Sequence, residues 1–186
     1  NAISVDGDTS TNDMVLLFST NKSKNKLITN KNSPAAKIFE QKLKNVMLNL
    51  AKQIVADGEG AQKFITINIT NCKNKNSAKT IGFSIANSPL VKTAITGEDP
   101  NWGRILMGIG KTSEKVDPKK IIIKLGDFIV AENGKISDNY NEEKLQEYMK
   151  WDSILIEVDL KQGRSQYECY TCDFTHDYID INAHYR

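Results

Sequence analysis

The chain has 186 residues, of which 39% are hydrophobic and 26% are charged, a composition that is ordinary for a soluble globular protein. The 25 basic and 23 acidic residues are interspersed and give a formal net charge of +2, which argues against a nucleic-acid or anionic-membrane partner. The apolar runs are too short to form a transmembrane helix, and no signal segment opens the chain. We therefore expect a folded cytoplasmic protein with neither a nucleic-acid nor a membrane partner.

The start of the chain is atypical, because its first residue is Asn1 rather than a methionine. Residues 2–5 are typical of the end of an apolar element whose beginning is missing. The sequence therefore predicts the back part of a longer protein.

A run of short polar side chains extends from Asp6 to Asp13 and contains three aspartates, two threonines, a serine and an asparagine. Apolar residues precede the run and follow it at positions 14–18, so it is predicted to connect two packed segments. Buried polar side chains need hydrogen-bond partners. The run is therefore either a functional site or a solvated turn built by Asp8, Thr9 and Ser10.

A long amphipathic helix is predicted to begin at Ser33-Pro34, because proline is favoured in the first helical turn. Its apolar residues recur at helical spacing: Ile38, Phe39, Leu43, Val46, Met47, Leu50 and Ile54. The helix is expected to end at the turn Asp57-Gly-Glu-Gly60, with Gly58 in a left-handed closing conformation. Glu59 lies between two glycines, where a small ligand could approach the backbone closely. The alternative is a plain helix-to-strand turn with a solvated glutamate.

Helices and strands alternate along the rest of the chain, so the predicted fold class is α/β or α+β. A polar linker near residues 116–119 predicts a boundary between a catalytic lobe, 1–115, and a smaller C-terminal lobe, 116–186. The predicted strands are 64–70, 121–125, 127–131, 153–159 and, from its alternation, 167–172. The predicted helices are 78–87, 100–109, 142–150 and a closing helix from Thr175.

The segment Asp99-Pro-Asn-Trp-Gly-Arg104 combines an expected N-cap, Asp99, with a proline at the first helical position and a tryptophan near an arginine. It is interpreted either as a site or as a capped helix with Trp102 anchored in the core.

The chain has three cysteines, and such a small, odd number does not indicate a disulfide framework. Cys72 is expected to fill apolar space. Cys169-Tyr-Thr-Cys172, followed by His176 and His184, has a spacing similar to that of zinc-binding sites. Because strand-like alternation covers the same residues and no second CxxC follows, we predict no metal site.

The tail from Asp173 to Asn182 is predicted to place Tyr178, Ile181 and Tyr185 on one helical face, with Asn182 beside it. Taken together, the Val5–Asp13 run, the Asp57–Gly60 turn, the Asp99–Arg104 segment and the Cys172–Asn182 tail resemble the β chain of bifunctional glutamate/ornithine N-acetyltransferases. The resemblance covers nearly the whole chain, and four motifs at consistent spacing are far more specific than any one of them.

This resemblance implies a layered sheet-and-helix sandwich of the ornithine acetyltransferase type. It also implies a protein that cleaves itself into two chains and exposes a nucleophilic threonine at the new β-chain N-terminus. That threonine would take the acetyl group of N2-acetyl-L-ornithine and pass it to L-glutamate in arginine biosynthesis. No metal or organic cofactor is implied. The implied partners are an α chain and the missing N-terminal part of the β chain, in an α2β2 assembly.

Two substrate-binding positions of the family correspond to residues of this chain. Glu59 corresponds to a carboxylate that binds the amino end of the substrate, and Asn182 to an amide that offers both a donor and an acceptor. The nucleophilic threonine is expected upstream of this chain, so no residue here is assigned a catalytic role. The fragment alone is predicted to be inactive. Whether acetyl-coenzyme A also serves as donor is left open.

Two alternatives remain from the residues themselves. Asp6 and Asp8 could be the nucleophile and acid of a magnesium-dependent phosphotransferase of the haloacid dehalogenase type. The chain could also be a non-catalytic domain that binds an amino acid.

Overall fold

The structure, a computed structural model, describes residues 1–9, 11 and 13–184. Its helices are α1 (Pro34–Ala56), α2 (Lys75–Ala86), α3 (Pro89–Thr96), α4 (Trp102–Gly110), α5 (Glu142–Met149) and α6 (His176–Ala183). Its strands are β1 (Phe64–Cys72), β2 (Ile122–Leu125), β3 (Phe128–Glu132), β4 (Lys135–Ile136), β5 (Ser153–Asp159) and β6 (Ser165–Cys172).

The strands form one six-stranded sheet in the order β4-β3-β2-β5-β1-β6. β1 is parallel to β5, whereas the pairs β1–β6, β2–β3, β2–β5 and β3–β4 are antiparallel. This mixed sheet with its helices confirms the predicted α/β (α+β) class. Strands from both sides of residue 116 share the sheet, and the division of the chain into lobes 1–115 and 116–186 stays a prediction.

The main core lies where α2 packs on the sheet. Ile65, Ile67 and Ile69 alternate along β1 and are fully buried, and they share one cluster with Ile81 and Ile85 of α2. Burying an isoleucine side chain completely contributes roughly 1.5–3 kcal/mol. Because β1 lies between β5 and β6, this cluster fixes the strand that leads from the Glu59 turn.

A second, smaller cluster on the other side of β6 joins the end of α1 to the sheet. It contains Val55, Tyr170 and Cys172, against which Val5 and Phe64 pack. Val55 is the buried residue of α1, so the helix is attached to the sheet near its C-terminal end.

The apolar stripe predicted for α1 is formed, but most of it is not buried by the described residues. Ile38 and Phe39 are 63% and 57% exposed. The apolar residues 14–18 have no helix or strand and are exposed as well, so the prediction that they form a packed element is wrong. Within the described part of the chain, no helix is long and apolar enough to cross a membrane.

Three helix predictions need correction. α2 begins at Lys75, before the predicted start, because the Asn74 side chain accepts a hydrogen bond from the Ser77 amide at 2.8 Å. α4 begins at Trp102, where Asn101 and not Asp99 is the N-cap. α3 was not predicted, although Pro89 stands in its first turn.

Candidate functional site

The turn after α1 and the helix α6 meet through their two predicted site residues. Asn182 Nδ2 donates a hydrogen bond to Glu59 Oε2 at 2.7 Å, although the residues are 123 positions apart. Both side chains are solvent-accessible, so a ligand can reach them. The structure therefore brings together the two positions that the family resemblance assigned to substrate binding.

The Glu59 turn has a shape that depends on Gly60. Asp57 ends α1 by donating its amide to Gln53 O, and the Ala61 amide donates to Gly58 O at 2.9 Å. The left-handed residue is Gly60, with φ at +66°, rather than Gly58 as predicted. A Cβ at Gly60 would lie 2.5 Å from the Tyr178 amide nitrogen. Glycine therefore lets the start of α6 approach the turn directly.

The start of α6 is bonded to the same turn. Thr175, its N-cap residue, donates its hydroxyl to Gly60 O at 2.6 Å. At the other end of the helix, Asn182 Nδ2 donates to both Glu59 and Tyr178 O, the latter at 2.9 Å. Because these two bonds use the amide hydrogens, they fix which end of the Asn182 side chain faces Glu59.

The aspartate-rich run contacts α6 as well. Asp6 Oδ1 accepts a hydrogen bond from the Asp8 amide at 2.9 Å, which makes a local turn. Asp6 Oδ2 accepts from the Tyr178 hydroxyl at 3.0 Å. Partial burial, together with the bond to Asp6, raises the pKa of Tyr178 to about 12. Asp6 therefore makes a turn at the start of the run. The predicted turn through the side chains of Asp8, Thr9 and Ser10 includes Ser10, which lies outside the described residues.

Tyr178 also connects α6 to the chain before it, since its ring stacks on Phe174 with centroids 4.6 Å apart. The predicted companion Tyr185 lies outside the described residues. Ile181 is 41% exposed, so the described part of this face is anchored mainly by Tyr178.

A buried carboxylate lies beneath the two site elements. Asp173 is 1% exposed, and its Oδ1 accepts hydrogen bonds from the amides of Gln62 and Lys63, both at 2.9 Å. Such charge-assisted bonds hold the backbone just after the Glu59 turn. Sequence reasoning missed Asp173, because an aspartate at a strand end does not differ in pattern from a solvated one.

The Asp99–Arg104 segment is a capped helix start, one of its two predicted interpretations. Asn101 Oδ1 accepts from the Arg104 amide at 3.1 Å, and Asn101 Nδ2 donates to Asp99 Oδ2 at 2.9 Å. Arg104 donates to Leu90 O at 2.8 Å, and Trp102 packs against the main core. The motif therefore joins α3 to α4.

The cysteine spacing reflects the alternation of β6. Cys169 belongs to the main cluster and Cys172 to the smaller one, so the two thiols face opposite sides of the sheet and cannot bind one metal ion together. Burial raises the pKa of Cys169 to about 12. Among the described residues, no three His, Cys, Asp or Glu side chains form a group that could hold a metal ion.

A separate cavity of about 650 Å³ lies near the β2–β3 turn and is lined by Phe128, Tyr148 and Trp151, among others. Neither Glu59 nor Asn182 lines it. We place the site at the Glu59–Asn182 contact, because that contact joins the two predicted residues.

Comparison with known proteins decides the family. The ArgJ family matches this chain over residues 1–186. The chain belongs to the ArgJ family. The arginine biosynthesis bifunctional protein ArgJ of Ruegeria pomeroyi is 50% identical over the whole chain, and that of Gluconobacter oxydans is 45% identical. The chain spans 44% of the length of each of these relatives.

The fold agrees with the family assignment. The crystal structure of the arginine biosynthesis bifunctional protein ArgJ from Bacillus halodurans matches with a TM-score of 0.90 and 38% identity, covering 98% of this chain and 85% of that chain. The resemblance drawn from the four motifs is confirmed. The interpretation of Asp6 and Asp8 as the nucleophile and acid of a haloacid-dehalogenase-type phosphotransferase is wrong, because both residues lie within the match to the ArgJ family.

Proposed function

We propose that this chain is part of an enzyme that transfers the acetyl group of N2-acetyl-L-ornithine to L-glutamate, giving L-ornithine and N-acetyl-L-glutamate in arginine biosynthesis. The names of its ArgJ relatives support the pathway. The observation that carries the proposal is the 2.7 Å bond between Asn182 and Glu59. It unites the two residues that the family resemblance assigns to the substrate.

In this proposal the chain binds substrate and another part of the protein supplies the nucleophile. Glu59 carries a carboxylate on an accessible turn, and a carboxylate accepts strong charge-assisted hydrogen bonds from a substrate ammonium group. Asn182 orients that carboxylate through one amide hydrogen and bonds to Tyr178 O with the other, so it offers its Oδ1 to the same ligand as an acceptor. Two polar groups converging from different elements select for a ligand that satisfies both.

The acetyl group moves in two steps. A threonine hydroxyl attacks the acetyl carbonyl and gives its proton to a neighbouring amine, and ornithine leaves with a proton on its nitrogen. The amine of glutamate then attacks the acetyl-threonine ester and restores the hydroxyl. The proposed partners are an α chain and the remaining part of the β chain in a cytoplasmic α2β2 assembly, and the isolated 186-residue chain is inactive.

The test is an intact-mass measurement on the full natural protein, with all its chains retained. Brief exposure to N-acetylornithine is expected to add an acetyl mass to a fragment that begins with threonine, and glutamate is expected to remove it. If no acetylated species forms and no ornithine is released, the proposal is wrong. Tight binding of ornithine or glutamate by the 186-residue chain alone would favour the non-catalytic amino-acid-binding domain instead.

Steady-state kinetics of the same protein test the role of Glu59. We expect Glu59→Gln to raise KM for N-acetylornithine roughly 10- to 100-fold, because a hydrogen bond to a charged group contributes about 1.5–3 kcal/mol. Asn182→Ala should raise KM less, because it removes a neutral partner. The control is Glu147→Gln, which removes an exposed carboxylate that pairs with Lys150. If Glu59→Gln and the control behave alike, Glu59 does not bind substrate.

A further inference from the structure

The helix α3 reaches the connection between β6 and α6 with two side chains one turn apart. Lys92 is 0% exposed, and its ammonium donates to Thr171 Oγ1 at 2.7 Å and to the carbonyl of Cys172. It also lies 4.6 Å from the centre of the Phe174 ring. Thr96 donates its hydroxyl to Phe174 O at 2.6 Å. Residues 171–174, which run from the end of β6 into this connection, are therefore contacted from one helix.

A fully buried lysine is rare, because removing an ammonium from water costs several kcal/mol unless partners replace the water. Burial lowers the pKa of Lys92, while neighbouring Cys172, Asp173 and Asp6 favour the charged form. The cost of burial is offset only if Thr171, Cys172 and the aromatic ring stay in place around the ammonium. The arrangement therefore favours one conformation of the connection.

The segment 171–175, from the end of β6 to the start of α6, contacts both elements of the candidate site, the Glu59 turn and α6. Asp173, in its centre, bonds to the amides of Gln62 and Lys63 behind the Glu59 turn, and its Oδ2 lies 3.2 Å from Thr96 Oγ1. Thr175, at its end, bonds to Gly60 O and starts the helix that carries Asn182. A shift of residues 171–175 would therefore move the two binding side chains relative to each other.

We infer that Lys92 and Thr96 are positioning residues, which hold the β6–α6 connection and thereby set the separation of Glu59 and Asn182. Neither residue acts on substrate directly; both act through the backbone that supports the binding pair. This inference deepens the proposed acetyl transfer and rests on it for its effect on catalysis.

Thr96→Val is the first test, because it removes the hydroxyl while it keeps the shape of the side chain. In the full natural protein, hydrogen exchange of the Gln62 and Lys63 amides is expected to become at least about tenfold faster in this variant. Thr96→Ser keeps the hydroxyl and should exchange like the wild type. The matched control is Thr93→Val on the same helix, since the exposed Thr93 hydroxyl donates to Pro89 O within α3.

Kinetics test the consequence for binding. Thr96→Val is expected to raise KM for N-acetylornithine roughly five- to tenfold, as when one neutral hydrogen bond is lost, with kcat changed less than about twofold. Thr96→Ser should restore KM, and Thr93→Val should leave it unchanged. Lys92→Met should raise KM further if it folds, since it removes the bonds to Thr171 and Cys172.

The outcomes separate the two proposals. A lower melting temperature in Thr96→Val, with amide exchange and KM both unchanged, would mean that α3 has a merely structural role and would overturn the inference. A wild-type protein that transfers no acetyl group would overturn the proposed function instead. In that case the hydrogen-exchange rates of the Gln62 and Lys63 amides still decide whether α3 holds the β6–α6 connection.

Discussion

At the scale of single residues, Gly60 determines how closely α6 can approach the Glu59 turn. Its φ of +66° lies in the left-handed region, which costs a non-glycine residue about 1–2 kcal/mol. In addition, a Cβ there would lie 2.5 Å from Tyr178 N and 2.9 Å from Asp177 C. These neighbours are backbone atoms, which cannot move aside as a flexible side chain can.

We therefore predict that Gly60→Ala lowers the free energy of unfolding by about 3 kcal/mol or more, because strain and overlap add. Gly134→Ala is the matched control: its φ is +75°, but a Cβ there meets nothing closer than 3.7 Å. The control should lose only about 1–2 kcal/mol. Urea unfolding of both variants measures the two losses in free energy of unfolding. Equal losses would show that overlap with the α6 backbone adds nothing at Gly60.

At the scale of elements, β6 presents different environments on its two faces. The Cys169 thiol faces the main core and is 0% exposed, so burial raises its pKa from the usual 9.0 to about 12. Above pH 9 the unfolded chain releases this proton while the folded chain keeps it. The folded state is then increasingly disfavoured, because the unfolded state binds fewer protons.

This linkage predicts that the free energy of unfolding falls between pH 9 and pH 12 by roughly 1 kcal/mol per pH unit through Cys169 alone. Cys169→Ala removes the titrating group, so its stability should decline less steeply over the same range under reducing conditions. The tyrosines of β6 are present in both proteins and cancel in the comparison. Parallel pH curves would mean that the thiol is not held protonated by the core.

At the scale of the whole molecule, the sheet joins strands from the two ends of the chain. β1 pairs with β5 over residues 64–70 and with β6 on its other side. The main cluster also draws on both parts, from Ile65 to Cys169. Such a shared core favours cooperative unfolding, whereas two lobes divided at residue 116 would be able to unfold separately.

We predict a single unfolding transition, and the two tryptophans allow a direct test. Trp102 and Trp151 stand on either side of residue 116, so Trp151→Phe and Trp102→Phe leave one fluorescent reporter in each part. In each variant, the urea midpoint followed by fluorescence of the remaining tryptophan should equal the midpoint followed by circular dichroism, which reports the whole fold. Separate midpoints for fluorescence and circular dichroism within one variant would support the two-lobe division.

Much of the architecture was predictable from local pattern. The Ser33-Pro34 start of α1 and the alternation of β1, β5 and β6 follow from capping and periodicity, which depend on neighbouring residues. α3 was missed because its eight residues are few, and no local pattern marks its lysine as buried. Only its packing against the β6–α6 connection buries Lys92.

The sequence by itself determined the fold class, most element positions and, through four spaced motifs, the family. It also named Glu59 and Asn182. The two flanking glycines drew attention to Glu59 but left a plain turn as the alternative, and Asn182 has no distinctive local context, so the resemblance decided both. Their contact, the left-handed Gly60 and the buried Lys92 and Asp173 were decided by tertiary structure. The physical reason is that hydrogen bonds and burial between residues more than 75 positions apart leave no periodic or capping signal in the chain.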